Sequence, residues 1–291
     1  MVHKAGFVNI LGSPNVGKST LMNGLVGERL SIITSKKQTT RHRIMGIVNG
    51  DDFQIVYSDT PGVVNAGYKL HERMMKYVNT AISDGDVLLF VTDPFEDEMN
   101  HVDTLRKIES SDSPVLLLIN KIDLIDQEKL VKRVEYWSQK IPRAEILPIS
   151  ALHKMNLEYI INKVKDFLPE SPPYFPKDEL TDRPMRFFVS EIIREKIFET
   201  YDKELPYSCE VEVQSYKEEE TIVKIEANIL VIRESQKGIV IGHQGKKIKH
   251  VGISARKDIQ RFVDKKVHLD LRVKVEKDWR NQDRSLDNYG Y

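Results

Sequence analysis

Cysteine is almost absent: Cys209 is the only one in 291 residues. An internal disulfide is therefore excluded, and a reducing compartment is expected. Its setting, "YSCEVEV", is a strand-like run without a nucleophile's partners, so a structural thiol is the expectation. Long apolar runs are missing as well. "VLLFV" (87–91) and "VLLLI" (115–119) fall far short of the roughly 20 residues needed to cross a bilayer. The opening residues "MVHKAGFVNILGSPN" lack the apolar core of a secretory signal. A cytosolic protein is expected. Net charge is absent too, with 44 Lys and Arg against 44 Asp and Glu. The chain as a whole thus carries no bias toward polyanions. His42, His101, His153 and His268 show no metal-ligand spacing. No internal repeat and no low-complexity tract are visible.

What is present suits two domains, given the length and an ordinary globular composition. Up to residue 168, "GFVNIL", "QIVYSD", "DVLLFVTD", "PVLLLIN" and "AEILPIS" read as buried strands. "KSTLMNGLV", "HERMMKYVNTAI", "VDTLRKI" and "MNLEYIINKVKDFL" read as helices between them. Such alternation predicts an α/β domain with a mostly parallel sheet, helices on both faces. Residues 169–184 carry five prolines without apolar periodicity and read as a linker. Residues 185–291 change pattern. An amphipathic helix, "FFVSEIIREKIFETY", precedes a hairpin of "CEVEVQSY" and "TIVKIEANILVI", with "KEEE" (217–220) at its solvated tip. A short helix over 235–241, a glycine loop, a basic helix to Val263 and the strand "KVHLDLRVKV" complete an α+β domain.

"GSPNVGKST" (Gly12, Ser13, Pro14, Asn15, Val16, Gly17, Lys18, Ser19, Thr20) fits the phosphate-loop pattern between a strand and a helix. Backbone N–H groups there meet a phosphate chain at a helix N-terminus. Lys18 is placed to reach the β- and γ-phosphates, and Ser19 to ligate Mg2+. In "DTPG", Asp59, Thr60, Pro61 and Gly62 end a strand. Asp59 can hold the metal through water, and the Gly62 N–H can meet the γ-phosphate. "NKID" offers Asn120 to bond base and loops, the Lys121 stem to cover the ring, and Asp123 to accept from guanine's N1–H and exocyclic amine. Adenine lacks that amine, so a carboxylate rejects it. In "SAL", Ser150, Ala151 and Leu152, the Ala151 N–H can face guanine O6. The four segments in this order, each after a strand, predict a GTP/GDP site. A small-molecule kinase fails on "NKID". Val63 follows "DTPG" where many signalling GTPases carry a water-orienting glutamine, so slow intrinsic turnover is expected.

The second glycine loop, "GIVIGHQGKKIKH" (238–250), matches no nucleotide signature. Charge around it is divided: residues 184–236 hold seven Lys and Arg against twelve Asp and Glu, residues 237–280 thirteen against five. Gly242, His243, Gln244 and Gly245, followed by Lys246, Lys247 and Lys249, suit a KH domain, whose GxxG loop clamps a nucleic-acid backbone. Helix-first element order makes it type II. Ile239, Val240 and Ile241 with "ILVI" are the expected apolar groove. For His243, a solvated loop position is the alternative to RNA contact. Trp279 and Tyr289 offer base stacking, with core packing as the default for Trp279.

The nucleotide motifs, "QTTRHRI" (38–44) and the KH-like half together resemble the Era family of ribosome-assembly GTPases, over nearly the whole chain. The resemblance implies that "TTR" is switch I, with Thr40 the magnesium-sensing hydroxyl and Thr39 its competitor. Lys18, Thr40, Gly62 and Asn15 would then carry hydrolysis, and Ser19, Thr40 and Asp59 the metal. Related GTPases use the asparagine at position 15 to coordinate K+; stabilising the turn is its alternative role. The resemblance further implies a monomer that binds small-subunit (16S) rRNA near its 3′ end in 30S assembly, with peripheral association at the inner membrane. No lipidation signal or basic amphipathic helix at either terminus supports direct anchoring. The alternatives from other classes are a constitutive RNA-binding module with a structural nucleotide site and a membrane-linked cell-cycle regulatory GTPase.

Overall fold

Five apolar runs become the parallel part of a six-stranded sheet in this computed structural model, which describes residues 2–64, 67–96 and 102–291. His101 lies outside the described residues. The chain divides into two units, Met1–Gly67 with His71–Asp182, and Tyr68–Leu70 with Arg183–Tyr291. In the first unit β1 (Lys4–Gly12) leads to α1 (Lys18–Val26), the hairpin β2 (Ile44–Asn49) and β3 (Phe53–Asp59), then α2 (Lys69–Ser83). β4 (Val87–Thr92), α3 (Val102–Glu109), β5 (Val115–Ile119), α4 (Gln127–Lys140), β6 (Glu145–Pro148) and α5 (Leu157–Phe167) follow. Strand order is β2-β3-β1-β4-β5-β6, with only β2 antiparallel. Every residue of β4 and β5 is buried, as expected of strands covered on both faces.

Two elements carry no obvious signal. β2 alternates weakly around Gly46, yet Ile44 and Ile47 are buried. α4 is mostly polar, with six of its fourteen residues charged. Its Asp126 cap accepts from the Lys129 N–H at 2.9 Å, and Trp137 packs edge-on against Phe90. The proline-rich stretch is strapped to the β2–β3 hairpin as far as Asp182. Prolines cannot donate, so the Gln54 side chain substitutes for a ladder. Its Nε2 donates to Phe175 O (2.8 Å), and its Oε1 accepts from the Tyr174 and Phe175 N–H groups (2.7 and 3.0 Å). Further along, Ile47 N–H donates to Leu180 O at 2.8 Å, and Thr181 Oγ1 to Met45 O at 2.7 Å.

The second unit runs α6 (Met185–Thr200), α7 (Leu205–Ser208), β7 (Glu210–Glu218), β8 (Ile222–Val231), α8 (Glu234–Ile241), α9 (Lys246–Val263), β9 (Lys266–Val275) and α10 (Asp283–Asn288). β7 and β8 form the expected hairpin, with an irregularity between Val213 and Ser215; β9 adds parallel to β8. Apolar residues of α6, α8, α9 and the sheet share one core, which also buries Cys209. α6 departs from simple amphipathicity: Glu191, Arg194 and Glu195 are buried, and Arg194 Nε donates to Glu191 Oε1 at 2.8 Å. Buried charge survives there because it is paired. At the hairpin tip Glu219 pairs with Lys224, and Glu218 at the strand end pairs with Lys265, both on the surface. Trp279 is fully buried and donates to Ser208 O at 3.1 Å, so it is core and no base platform. Tyr289 donates its hydroxyl to Glu276 and meets Trp279 edge-on. No helix among the described residues is long and apolar enough to cross a membrane.

Candidate nucleotide site and second glycine loop

Loops after β1, β3, β5 and β6 converge on one cleft of about 450 Å³, at the C-terminal edge where open α/β sheets hold ligands. Gly17 caps α1 with φ 98°, and a Cβ there would lie 2.3 Å from Asn120 Nδ2. That side chain is buried between two loops. Nδ2 donates to Val16 O at 2.7 Å, while Oδ1 accepts from the Ala151 N–H at 2.9 Å. The Ala151 N–H expected to face guanine is thus engaged with Asn120. Lys18 is buried, donating to Gly12 O (3.0 Å) and Ser13 O (2.7 Å). Burial lowers its pKa to about 8, against the opposing pull of Asp59 and Glu96.

Three oxygens meet beside it. Ser19 Oγ donates to Asp59 Oδ2 at 2.7 Å and lies 2.9 Å from Thr40 Oγ1. Asp59 is wholly buried, which raises its pKa although Lys18 and Ser19 pull it down. Its other oxygen, Oδ1, is buried without a hydrogen-bond partner. Two hydroxyls and a desolvated carboxylate are the hard donor set that suits Mg2+. Thr39 stands apart from them: its hydroxyl lies 2.6 Å from Thr34 Oγ1 and donates to Lys36 O at 2.9 Å. Thr60 is buried and donates to Ile10 O, Pro61 is buried, and Thr20 lines the cleft. A Cβ on Gly62 would meet Pro14 N at 2.7 Å, so the glycine permits this close approach. Val63 is half-buried and packs against the core around α2 and β4.

On the base side, Asp123 Oδ1 accepts from Ser150 Oγ at 2.6 Å, and Oδ2 lies 3.7 Å from His153 Nε2. Lys121, at φ 62°, donates to Asn15 O and pairs with Asp93, both at 2.7 Å. Leu124 and Leu152 stand exposed on the cleft wall. Asn15 adopts φ 68° and donates from Nδ2 to Ser35 O at 2.9 Å. The wall formed by Ile32, Ile33, Thr34 and Ser35 had no motif to announce it.

In the second unit, His243–Gly245 form a single 3-10 turn, with left-handed φ at Gly242 (70°), Gln244 (52°) and Gly245 (73°). His243, Gln244, Lys246, Lys247 and Lys249 are exposed, and Lys247 Nζ sits 5.6 Å above the Tyr201 ring. The expected apolar groove is corrected in part: Ile239 is exposed and Ile241 half-buried, but most of the rest is not available. Val240 and the "ILVI" strand residues Ile229, Leu230 and Val231 are buried in the core, because β8 is the central strand. An open groove lies between α9 and β9, lined by Lys249, Gly252, Ile253, Arg256, Leu269 and Leu271.

A family described as 50S ribosome-binding GTPase matches residues 7–121, and the KH domain family matches residues 204–280. The chain is 43% identical to a GTPase Era of Staphylococcus haemolyticus, over 99% of this chain and 97% of the relative. Among solved structures, a substituted Era of Aquifex aeolicus bound to GDP and aluminium fluoride superposes with a TM-score of 0.94 at 35% identity. An Era in complex with MgGDPNP and nucleotides 1506–1542 of 16S ribosomal RNA superposes with 0.95, also at 35% identity. Each covers 99% of both chains.

Proposed function

The chain belongs to the Era family of GTPases, and from that premise we propose that it is a GTP-hydrolysing switch that binds the 3′ region of 16S rRNA during 30S subunit assembly. The observation that carries this proposal is the Ser19–Thr40–Asp59 oxygen cluster beside a cleft with guanine-selecting chemistry, in a chain with a KH-like second unit. Mg2+ held by Ser19 and Thr40, with Asp59 through water, would neutralise charge on the β- and γ-phosphate oxygens. Lys18 exchanges the carbonyls of Gly12 and Ser13 for phosphate, and the arriving negative charge restores its full protonation. The Gly62 N–H, on a glycine that packs closely on Pro14, would donate to the γ-phosphate. Val63 packs against the core and has no polar group, which leaves the attacking water without a side chain to orient it. Intrinsic turnover is accordingly slow.

Asp123 accepts from guanine N1–H and the exocyclic amine, and the Ala151 N–H serves O6 while shared with Asn120. Gly242 and Gly245 let backbone N–H groups approach a single-stranded RNA backbone. Lys246, Lys247 and Lys249 add charge, and the α9–β9 groove takes the bases. The working place is the cytoplasm, as a monomer. Crosslinking the protein to cellular RNA with GTP, GDP or no nucleotide tests the proposal. Crosslinks concentrated at the 3′ end of 16S rRNA and strengthened by GTP are expected; crosslinks indifferent to nucleotide would favour a constitutive RNA-binding module.

A further inference from the structure

One imidazole joins the two segments that a γ-phosphate would order. His71, in the first turn of α2, is 7% exposed. Its Nδ1 accepts from the Gly67 N–H at 3.3 Å. A neutral imidazole accepting at Nδ1 carries its proton on Nε2. That N–H lies 3.1 Å from Gln38 Oε1, so it donates there. Gln38 adopts a left-handed φ of 57° two residues before Thr40, whose hydroxyl stands 2.9 Å from Ser19 Oγ. Gly67 follows Gly62 by five residues on the other segment.

We propose that His71 is a positioning residue for GTP hydrolysis, holding the Thr40 segment in register with the Gly62 segment through its bond to Gln38. The inference rests on the GTPase function proposed above. Thr40 serves at the metal, and the His71 bond fixes the side chain of the left-handed glutamine two residues before it. With the imidazole bond in place, ordering either segment orders both. A ring that served only to pack α2 would affect stability and the affinity for GDP, and it would be indifferent to the side chain at position 38.

The test uses the full chain in single-turnover hydrolysis of GTP with Mg2+, alongside GDP affinity. Variants are Gln38→Leu, which keeps the volume and leaves α2 untouched, His71→Ala, and the double variant. Each single change should slow hydrolysis about three- to tenfold, the range set by one net hydrogen bond. GDP affinity should stay within roughly twofold, and the double variant should be no slower than the slower single, because both remove one contact. Unchanged hydrolysis in Gln38→Leu, multiplicative slowing in the double variant, or an equal loss of GDP affinity would overturn the proposal. A parent chain that does not hydrolyse GTP would overturn both this inference and the function beneath it. Failure confined to the variants leaves that function standing.

Discussion

Asp59→Asn should make the nucleotide-free protein more stable while disabling it. Asp59 is fully buried; Oδ2 accepts one good hydrogen bond from Ser19, and Oδ1 accepts none. A buried carboxylate in that state costs about 1–3 kcal/mol, only partly offset by the Lys18 ammonium. The direction of its pKa agrees, since burial outweighs Lys18 and raises it above the ordinary 3.8. An amide removes the charge but brings a donor, so a net gain of about 1–2 kcal/mol is expected. For a domain of this size that is a rise of about 3–6 °C in Tm. The assay is thermal unfolding in EDTA without nucleotide, read through Trp137, the first unit's only tryptophan, in a Trp279→Phe background. Because the folded pKa is raised, the deficit of the parent is full above that pKa and shrinks as the pH falls below it. Lowering the pH from the raised pKa to the ordinary carboxylate range should therefore close the gap between parent and variant. With Mg2+ and GTP at about 100 times Kd the parent gains about 2.7 kcal/mol, and the order should reverse. A variant no more stable than its parent in EDTA would refute the reasoning.

Asp123→Asn should weaken GTP binding by about 2–4 kcal/mol and shift preference to xanthosine triphosphate, whose N1 and C2 groups complement an amide; equal GTP affinity in titration calorimetry would exclude Asp123 as the base reader. Replacing Gly242 and Gly245 by Asp should abolish RNA binding in filter assays while RNA-free hydrolysis persists, since the side chains and charge fall where phosphate must sit. Thr40→Ala should lower hydrolysis at limiting Mg2+ much more than Thr39→Ala, because only Thr40 joins the oxygen cluster; equal effects would reverse that assignment. Hydrolysis should run faster in K+ than in Na+ at equal ionic strength, and Asn15→Ala should erase the difference; identical rates in the two salts would leave Asn15 as the stabiliser of a left-handed turn that also holds Ser35.

The parallel strands were legible because burial on both faces forces continuous apolar sequence, as in "VLLFV" and "VLLLI". β2 was not, since Gly46 interrupts it and only its pairing to β3 makes it a strand. α4 hides in a polar segment whose apolar stripe is as narrow as Leu130, Val134 and Trp137. The proline-rich stretch looked like bare linker because a side chain, Gln54, holds much of it in place of backbone partners. In the second unit part of the expected apolar groove went to the core for a related reason. Isoleucine and valine serve core and groove alike, and only the central position of β8 decides that Ile229 and Val231 are spent on the core. Gln38 and His71 stand 33 residues apart with no pattern linking them.

The nucleotide motifs differ because their chemistry fixes residue type, yet the structure redistributes their tasks. Asn120 belongs to the guanine motif by sequence, but its amide oxygen accepts from the Ala151 N–H and its nitrogen donates to Val16 O. Both ends of that amide hold loops together, so Asn120 supports recognition by fixing the distance between the phosphate loop and the "SAL" loop. The Ala151 N–H is shared with that bond. On the proposed function, discrimination between guanine and adenine would then concentrate on the Asp123 carboxylate, one oxygen of which is already steadied by Ser150. A carboxylate held by one hydroxyl keeps acceptor capacity for two base N–H groups, since two oxygens offer about four lone-pair sites. Base selection is therefore expected to respond to the charge at Asp123, and cleft geometry to Asn120. An amide in place of the first should change which base is preferred, and loss of the second should weaken every base together in nucleotide titrations; a change of preference in Asn120→Ala would refute that division.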